Sequence, residues 1–210
     1  MAKKYYYAVK KGREKGIFNT WDECKKQVIG FKDAKYKKFE TLQGAKNFIS
    51  EVEDLEIDIK PKDLEKLDNL PKDLMISYVD GSYNIKTKEY GCGVVIFTNE
   101  GKKTLSKKGT NEEYSKSRNV AGEILGAVES MELALEMGKK TLKIYYDYRG
   151  IEEWALGNWK TNNILTKNYK IKYDNIKKSL KVIFNKVEAH TGDKYNEEAD
   201  ILAKKSVGIE

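Results

Sequence analysis

Met75-Ile76-Ser77-Tyr78-Val79-Asp80-Gly81-Ser82 has the two-residue period of a β-strand, which sets Ile76, Tyr78 and Asp80 on one face. A carboxylate in register with Ile and Tyr is out of place in a strand that only builds a core. Working outward, 93–98 and 102–109 read as a hairpin around Asn99-Glu100-Gly101. Residues 121–137 read as a helix with Ile124, Ala127, Val128, Met131 and Leu135 on one stripe, ended by Gly138. Leu142-Lys143-Ile144-Tyr145-Tyr146 is an apolar strand, 152–180 reads as mostly helical, 181–188 as a strand and 196–205 as a closing helix. Strands alternating with helices predict an α/β domain over 74–210, a mixed sheet flanked by helices.

Charge divides the rest of the chain. Residues 1–50 carry a net +8, residues 51–73 a net −5 and residues 74–210 a net +4. Both prolines, Pro61 and Pro71, fall in the acidic middle piece, which has no aromatic residue. That composition predicts a flexible acidic linker over 51–73. The first 50 residues predict a small α+β domain with a three-stranded antiparallel sheet and two helices. Thr20-Trp21-Asp22-Glu23 fits a capping box at the start of the first helix, and Thr41 suits the N-cap of the second.

Composition also excludes. The longest purely apolar run, Val94-Val95-Ile96-Phe97, is far short of the roughly 20 residues of a membrane span. No apolar stretch follows the basic start Met1-Ala2-Lys3-Lys4, so a cytoplasmic protein without membrane association is expected. Two cysteines, Cys24 and Cys92, and one histidine, His190, leave zinc chemistry and disulfide scaffolds without ligands.

Three acids sit where structure alone would not place them: Asp80 within its strand, Glu123 near the apolar stripe of the long helix, and Asp147 directly after Tyr146. Each alone has a structural explanation, as a turn, a first-turn acid or a strand-end cap. Together they suggest a site at strand ends, where buried carboxylates need a cation. Donors limited to oxygen select a hard ion such as Mg²⁺ or Mn²⁺. Asp200 is a fourth candidate, on a helix between Ala199 and Ala203, with His190 ten residues before it.

Tyr78-Val79-Asp80-Gly81-Ser82, Gly122-Glu123, Ile144-Tyr145-Tyr146-Asp147 and His190-Thr191-Gly192 with Asn196-Glu197-Glu198-Ala199-Asp200 resemble type 1 ribonuclease H over about 74–206. The resemblance implies the ribonuclease H fold and hydrolysis of the RNA strand of RNA/DNA hybrids, leaving 5′-phosphate and 3′-hydroxyl ends. It implies two Mg²⁺ ions, or Mn²⁺ in their place, held by Asp80, Glu123, Asp147 and Asp200. His190 would serve proton transfer or product release, and Asn84 and Asn119 would lie near the substrate strands.

The first 50 residues independently resemble the hybrid-binding domain found ahead of many such nucleases. The resemblance is carried by Tyr7-Ala8-Val9-Lys10-Lys11-Gly12, Thr20-Trp21, Cys24 and Tyr36-Lys37-Lys38-Phe39. It implies nucleic-acid contacts by Tyr7, Trp21, Tyr36, Lys37 and Lys38, with weak binding of double-stranded RNA as a further expectation. Aromatics interleaved with lysines suit stacking flanked by phosphate contacts, although core packing explains such aromatics as well. A monomer is expected. Two other readings remain open on sequence: a non-catalytic binder of hybrids or double-stranded RNA, and a different metal nuclease of the same fold.

Overall fold

The computed structural model describes residues 5–50, Leu64, Leu67, 70–188 and 193–209. By contacts the chain divides into two compact units. One joins the N-terminal residues to Glu153–Asn162, and the other comprises Ile59–Glu152 and Asn163–Glu210.

In the first unit β1 (Tyr6–Lys11) pairs antiparallel with β2 (Gly16–Phe18) on one side and β3 (Lys35–Phe39) on the other. α1 (Trp21–Val28) starts at Thr20 with both halves of the capping box formed, and Gly30, at φ +72°, follows its end. α2 (Leu42–Ser50) begins after Thr41, whose Oγ accepts from Gly44 N at 3.0 Å. Alternation along the strands divides the interior in two. Val9 meets Cys24 and Val28 of α1, while Ala8 and Phe39 meet Ala45 of α2. Glu153–Asn162 belongs to this unit through backbone acceptors. Leu156 O receives Asn47 Nδ2 at 3.1 Å, Asn158 O receives Glu40 N at 3.2 Å, and Gly157 O receives Thr41 Oγ.

The second unit is built on a five-stranded sheet. Its strands are β4 (Leu74–Asn84), β5 (Glu89–Thr98), β6 (Gly101–Lys108), β7 (Thr141–Tyr146) and β8 (Lys181–Lys186), in the order β6-β5-β4-β7-β8. The first three run antiparallel and β4, β7 and β8 run parallel, giving the expected mixed sheet. The helices are α3 (Glu112–Ser115), α4 (Asn119–Glu136), α5 (Gly150–Ala155), α6 (Ile164–Ile176) and α7 (Lys194–Ser206). No helix among the described residues is long and apolar enough to cross a membrane. Ile76, Tyr78, Val95 and Phe97 form a core with Tyr195 and Ala199 of α7.

The strand expected through Asp80-Gly81 holds and extends, because β4 runs on to Asn84 and stays paired with β5 down to Glu89, which leaves no turn to account for Asp80. The mostly helical stretch 152–180 is interrupted, with α6 beginning anew behind Asn163, whose side chain accepts from Thr166 N. Most of the expected linker lies outside the described residues, but Leu64 and Leu70 are buried in the core beside Leu74 and Ile76. Leucines at 64, 67 and 70 recur every third residue, which makes an apolar stripe inside an otherwise charged stretch.

Candidate active site and nucleic-acid face

Register brings the first two acids level. β4 and β7 run parallel with Tyr78 opposite Tyr145, so Asp80 and Asp147 each lie two residues further in the same direction. β4 continues there, whereas β7 ends at Tyr146 and frees Asp147 at the strand end. The third acid arrives by a close approach of helix to strand. A Cβ on Gly81 would stand 2.2 Å from Glu123 N and 2.4 Å from Asn119 O, and one on Gly122 would stand 2.8 Å from Gly81 Cα. Two glycines therefore let the first turn of α4 lie directly on β4, and Glu123 follows Gly122. Oxygens of Asp80, Glu123 and Asp147 all come within 4.8 Å of one another.

Their surroundings make this a buried site dense in negative charge. Asp80 is 9% exposed and Glu123 3%. Asp80 Oδ1 accepts from Gly81 N at 2.7 Å, and the Asp80 and Glu123 carboxyls share a hydrogen bond. Glu123 Oε2 is buried with no hydrogen-bond partner among the described residues. Burial, opposed by the bond to Glu123 and reinforced by the charge of Asp147, pushes the Asp80 carboxyl up to about 6. Burial together with the charges of Asp80 and Asp147 raises Glu123 well above the usual carboxylate range. A divalent cation bound by oxygen removes both penalties, and an orphaned carboxylate oxygen facing two further carboxylates fits such an ion.

Asp200 is close but outside this group. Its charge contributes to the shift at Asp80, yet its Oδ2 is bonded to Lys204 Nζ at 2.7 Å. His190 lies outside the described residues. Asn84 is committed within the fold: its Nδ2 donates to Val207 O at 2.9 Å and its Oδ1 accepts from Lys86 N and Thr87 N. Asn119 is exposed on the first residue of α4. Sequence reasoning passed over the Gly81–Gly122 contact, although its signal was present: a glycine directly after one acid and another directly before the next. It also passed over Lys204, whose ammonium is bonded to Asp200.

The N-terminal candidates separate by strand parity. Trp21 is flanked by Tyr7 and Tyr36, with ring centroids 5.9 and 5.8 Å away, and Trp21 and Tyr36 stay 38% and 43% exposed. Lys38 stands directly opposite Tyr7 across the β1–β3 pair, on the same face. Lys37 pairs with Ala8 and so points to the other face. There its Nζ lies 3.0 Å from Glu153 Oε1, whose side chain is 2% exposed. Four of the five expected contacts thus share one surface, and Lys37 is engaged elsewhere.

Residues 72–208 match the RNase H family, and residues 5–49 match the Ribonuclease H1 N-terminal domain. The chain is 24% identical to the ribonuclease H of Schizosaccharomyces pombe across 97% of both proteins. It is 56% identical to the ribonuclease H of Saccharomyces cerevisiae over 46 residues, 22% of this chain and only 13% of that protein. The solved N-terminal RNase H domain of a Mycobacterium tuberculosis protein shares the fold, with a TM-score of 0.51 at 16% identity, over 63% of this chain and 97% of that one. With well over half its length in the family match, the chain belongs to the RNase H family, as a type 1 ribonuclease H that carries the family's N-terminal domain.

Proposed function

We propose that the chain is an endonuclease that hydrolyses the RNA strand of RNA/DNA hybrids, leaving 5′-phosphate and 3′-hydroxyl ends, with two Mg²⁺ ions as cofactor and Mn²⁺ as the alternative. The observation that carries this reading is the convergence of Asp80, Glu123 and Asp147 within 4.8 Å, on donors that are oxygen only. When bound, a pair of divalent cations supplies Lewis-acid activation of water and stabilisation of the leaving 3′-oxygen. The residues' own work is to hold and orient. Gly81 N–H fixes one oxygen of Asp80, burial keeps water from Glu123, and the strand end leaves Asp147 reachable by substrate. Asp200 is the fourth ligand, and His190 is assigned to proton transfer or product release on its spacing from Asp200.

The N-terminal domain binds the hybrid through Tyr7, Trp21 and Tyr36, with Lys38 reaching phosphate from the same face. The proposed division is a binding domain at 1–50, a connector at 51–73 whose Leu64 and Leu70 pack with Leu74 and Ile76, and a catalytic domain at 74–210. Incubating the full chain with labelled RNA/DNA hybrid, double-stranded RNA and double-stranded DNA, with and without Mg²⁺, tests the reading. Only the RNA strand of the hybrid is expected to be cut, and only with metal. Cleavage of DNA, or equal cleavage without metal, contradicts it.

A further inference from the structure

Asp200 is set apart from the other three acids by a bond to its own helix. Its Oδ2 accepts from Lys204 Nζ at 2.7 Å, one helical turn on, and it is outside the group that converges within 4.8 Å. The backbone does not keep it away. Gly93 stands opposite Asp80 in the β4–β5 pairing, and a Cβ there would meet Ala199 O at 2.0 Å and Ala203 N at 2.5 Å. The turn of α7 that carries Asp200 and Lys204 therefore lies against the strands beside Asp80.

We infer that Lys204 is a built-in competitor of divalent metal at Asp200: its ammonium neutralises Asp200 in the metal-free protein and must swing away when a cation binds on that side. The inference rests on the reading of Asp200 as the fourth ligand. The pair is of the weakly held kind, spanning i to i+4 on one helix, with the Lys204 and Asp200 side chains 44% and 29% exposed, so it yields to a divalent ion. In this role Lys204 acts through Asp200. It is a positioning residue that sets the metal concentration at which the Asp200 side fills. A single positive charge about 7 Å from a divalent ion in the dielectric of water weakens binding about threefold once roughly 0.1 M salt screens it.

The test is calorimetric titration of the substrate-free full chain with Mn²⁺, for wild type, Lys204→Met, Lys204→Arg, Asp200→Asn and the double variant Asp200→Asn/Lys204→Met. Lys204→Met is expected to bind Mn²⁺ about threefold more tightly, Lys204→Arg to behave like wild type, and Asp200→Asn to erase the gain. The rise of Tm with Mn²⁺ is expected to follow the same order, and the metal-free Tm reveals any folding defect. Lys204→Met binding no tighter than wild type, while Asp200→Asn binds more weakly, overturns the inference and leaves Asp200 a ligand. Should Asp200→Asn leave the titration unchanged in both backgrounds, the fourth-ligand reading fails and the inference falls with it.

Discussion

Gly81→Ala adds one methyl group at the point where helix meets strand. That carbon would stand 2.2 Å from Glu123 N, 2.4 Å from Asn119 O and 2.7 Å from Gly122 C, all backbone atoms that cannot rotate aside. Ordinary contact begins at 3.4 Å, so the first turn of α4 must retreat by about 1.2 Å. Two consequences follow from one displacement. Overpacking of this kind costs up to about 3 kcal/mol, which in a chain of this size lowers Tm by roughly 6–12 °C. Glu123 rides on the displaced turn, and a misplacement of about 1 Å at a catalytic centre lowers the rate about 100-fold. Thermal melts and single-turnover cleavage of a hybrid, measured on the same protein well below its Tm, separate the two effects. A Gly81→Ala protein with wild-type Tm and wild-type rate refutes the reasoning, because the close approach of α4 to β4 then has no role in placing Glu123.

Asp80→Asn removes one of three converging carboxylates, so the metal-free protein is expected to melt higher than wild type and to lose most of its Mg²⁺-dependent rise in Tm. The pH dependence has a definite sign. With the Asp80 carboxyl moved from 3.8 to about 6, the folded state binds more protons than the unfolded state, so this stability is present below pH 3.8 and lost as pH rises through about 6. The advantage of metal-free Asp80→Asn over wild type is therefore expected to grow by about 1.3 kcal/mol from pH 5 to pH 7 in urea melts; a flat difference contradicts it. Trp21→Ala is expected to weaken hybrid binding roughly tenfold with an unchanged salt slope, whereas Lys38→Ala lowers that slope by about one. Lys37→Ala is expected to leave the slope alone and to destabilise the chain by about 2 kcal/mol, less than for a fully buried pair because Lys37 is 28% exposed. Equal salt slopes for the Lys37 and Lys38 variants would show that strand parity does not sort them.

Much of the fold was legible because its signals are local. The capping box at Thr20, the alternation around Tyr78 and the glycine after α4 each act within a few residues, and the structure places the elements where those signals set them. The three central acids were legible for a related reason: a carboxylate in an apolar pattern is costly wherever the chain goes. What stayed hidden depends on tertiary partners. Lys37 and Lys38 are neighbours in sequence and look equivalent, but pairing across β1 and β3 sends them to opposite faces. The stretch 51–73 reads as linker by composition, yet Leu64 and Leu70 find a core against Leu74 and Ile76. The bond from Lys204 to Asp200 spans one helical turn and was within reach of spacing alone, but nothing in sequence shows that this turn lies beside Asp80.

Glu123 bears the central claim most directly, because it is buried, its Oε2 lacks a hydrogen-bond partner among the described residues, and it joins Asp80 and Asp147 at one point. The decisive measurement is single-turnover cleavage of an RNA/DNA hybrid in Mg²⁺ by wild type and Glu123→Gln, with folding of both checked by thermal melt. The wild type is expected to cut the RNA strand, and Glu123→Gln to be slower by about 1,000-fold while folding normally, as for loss of several kcal/mol of transition-state stabilisation. A well-folded Glu123→Gln that cuts within about tenfold of wild type contradicts the account.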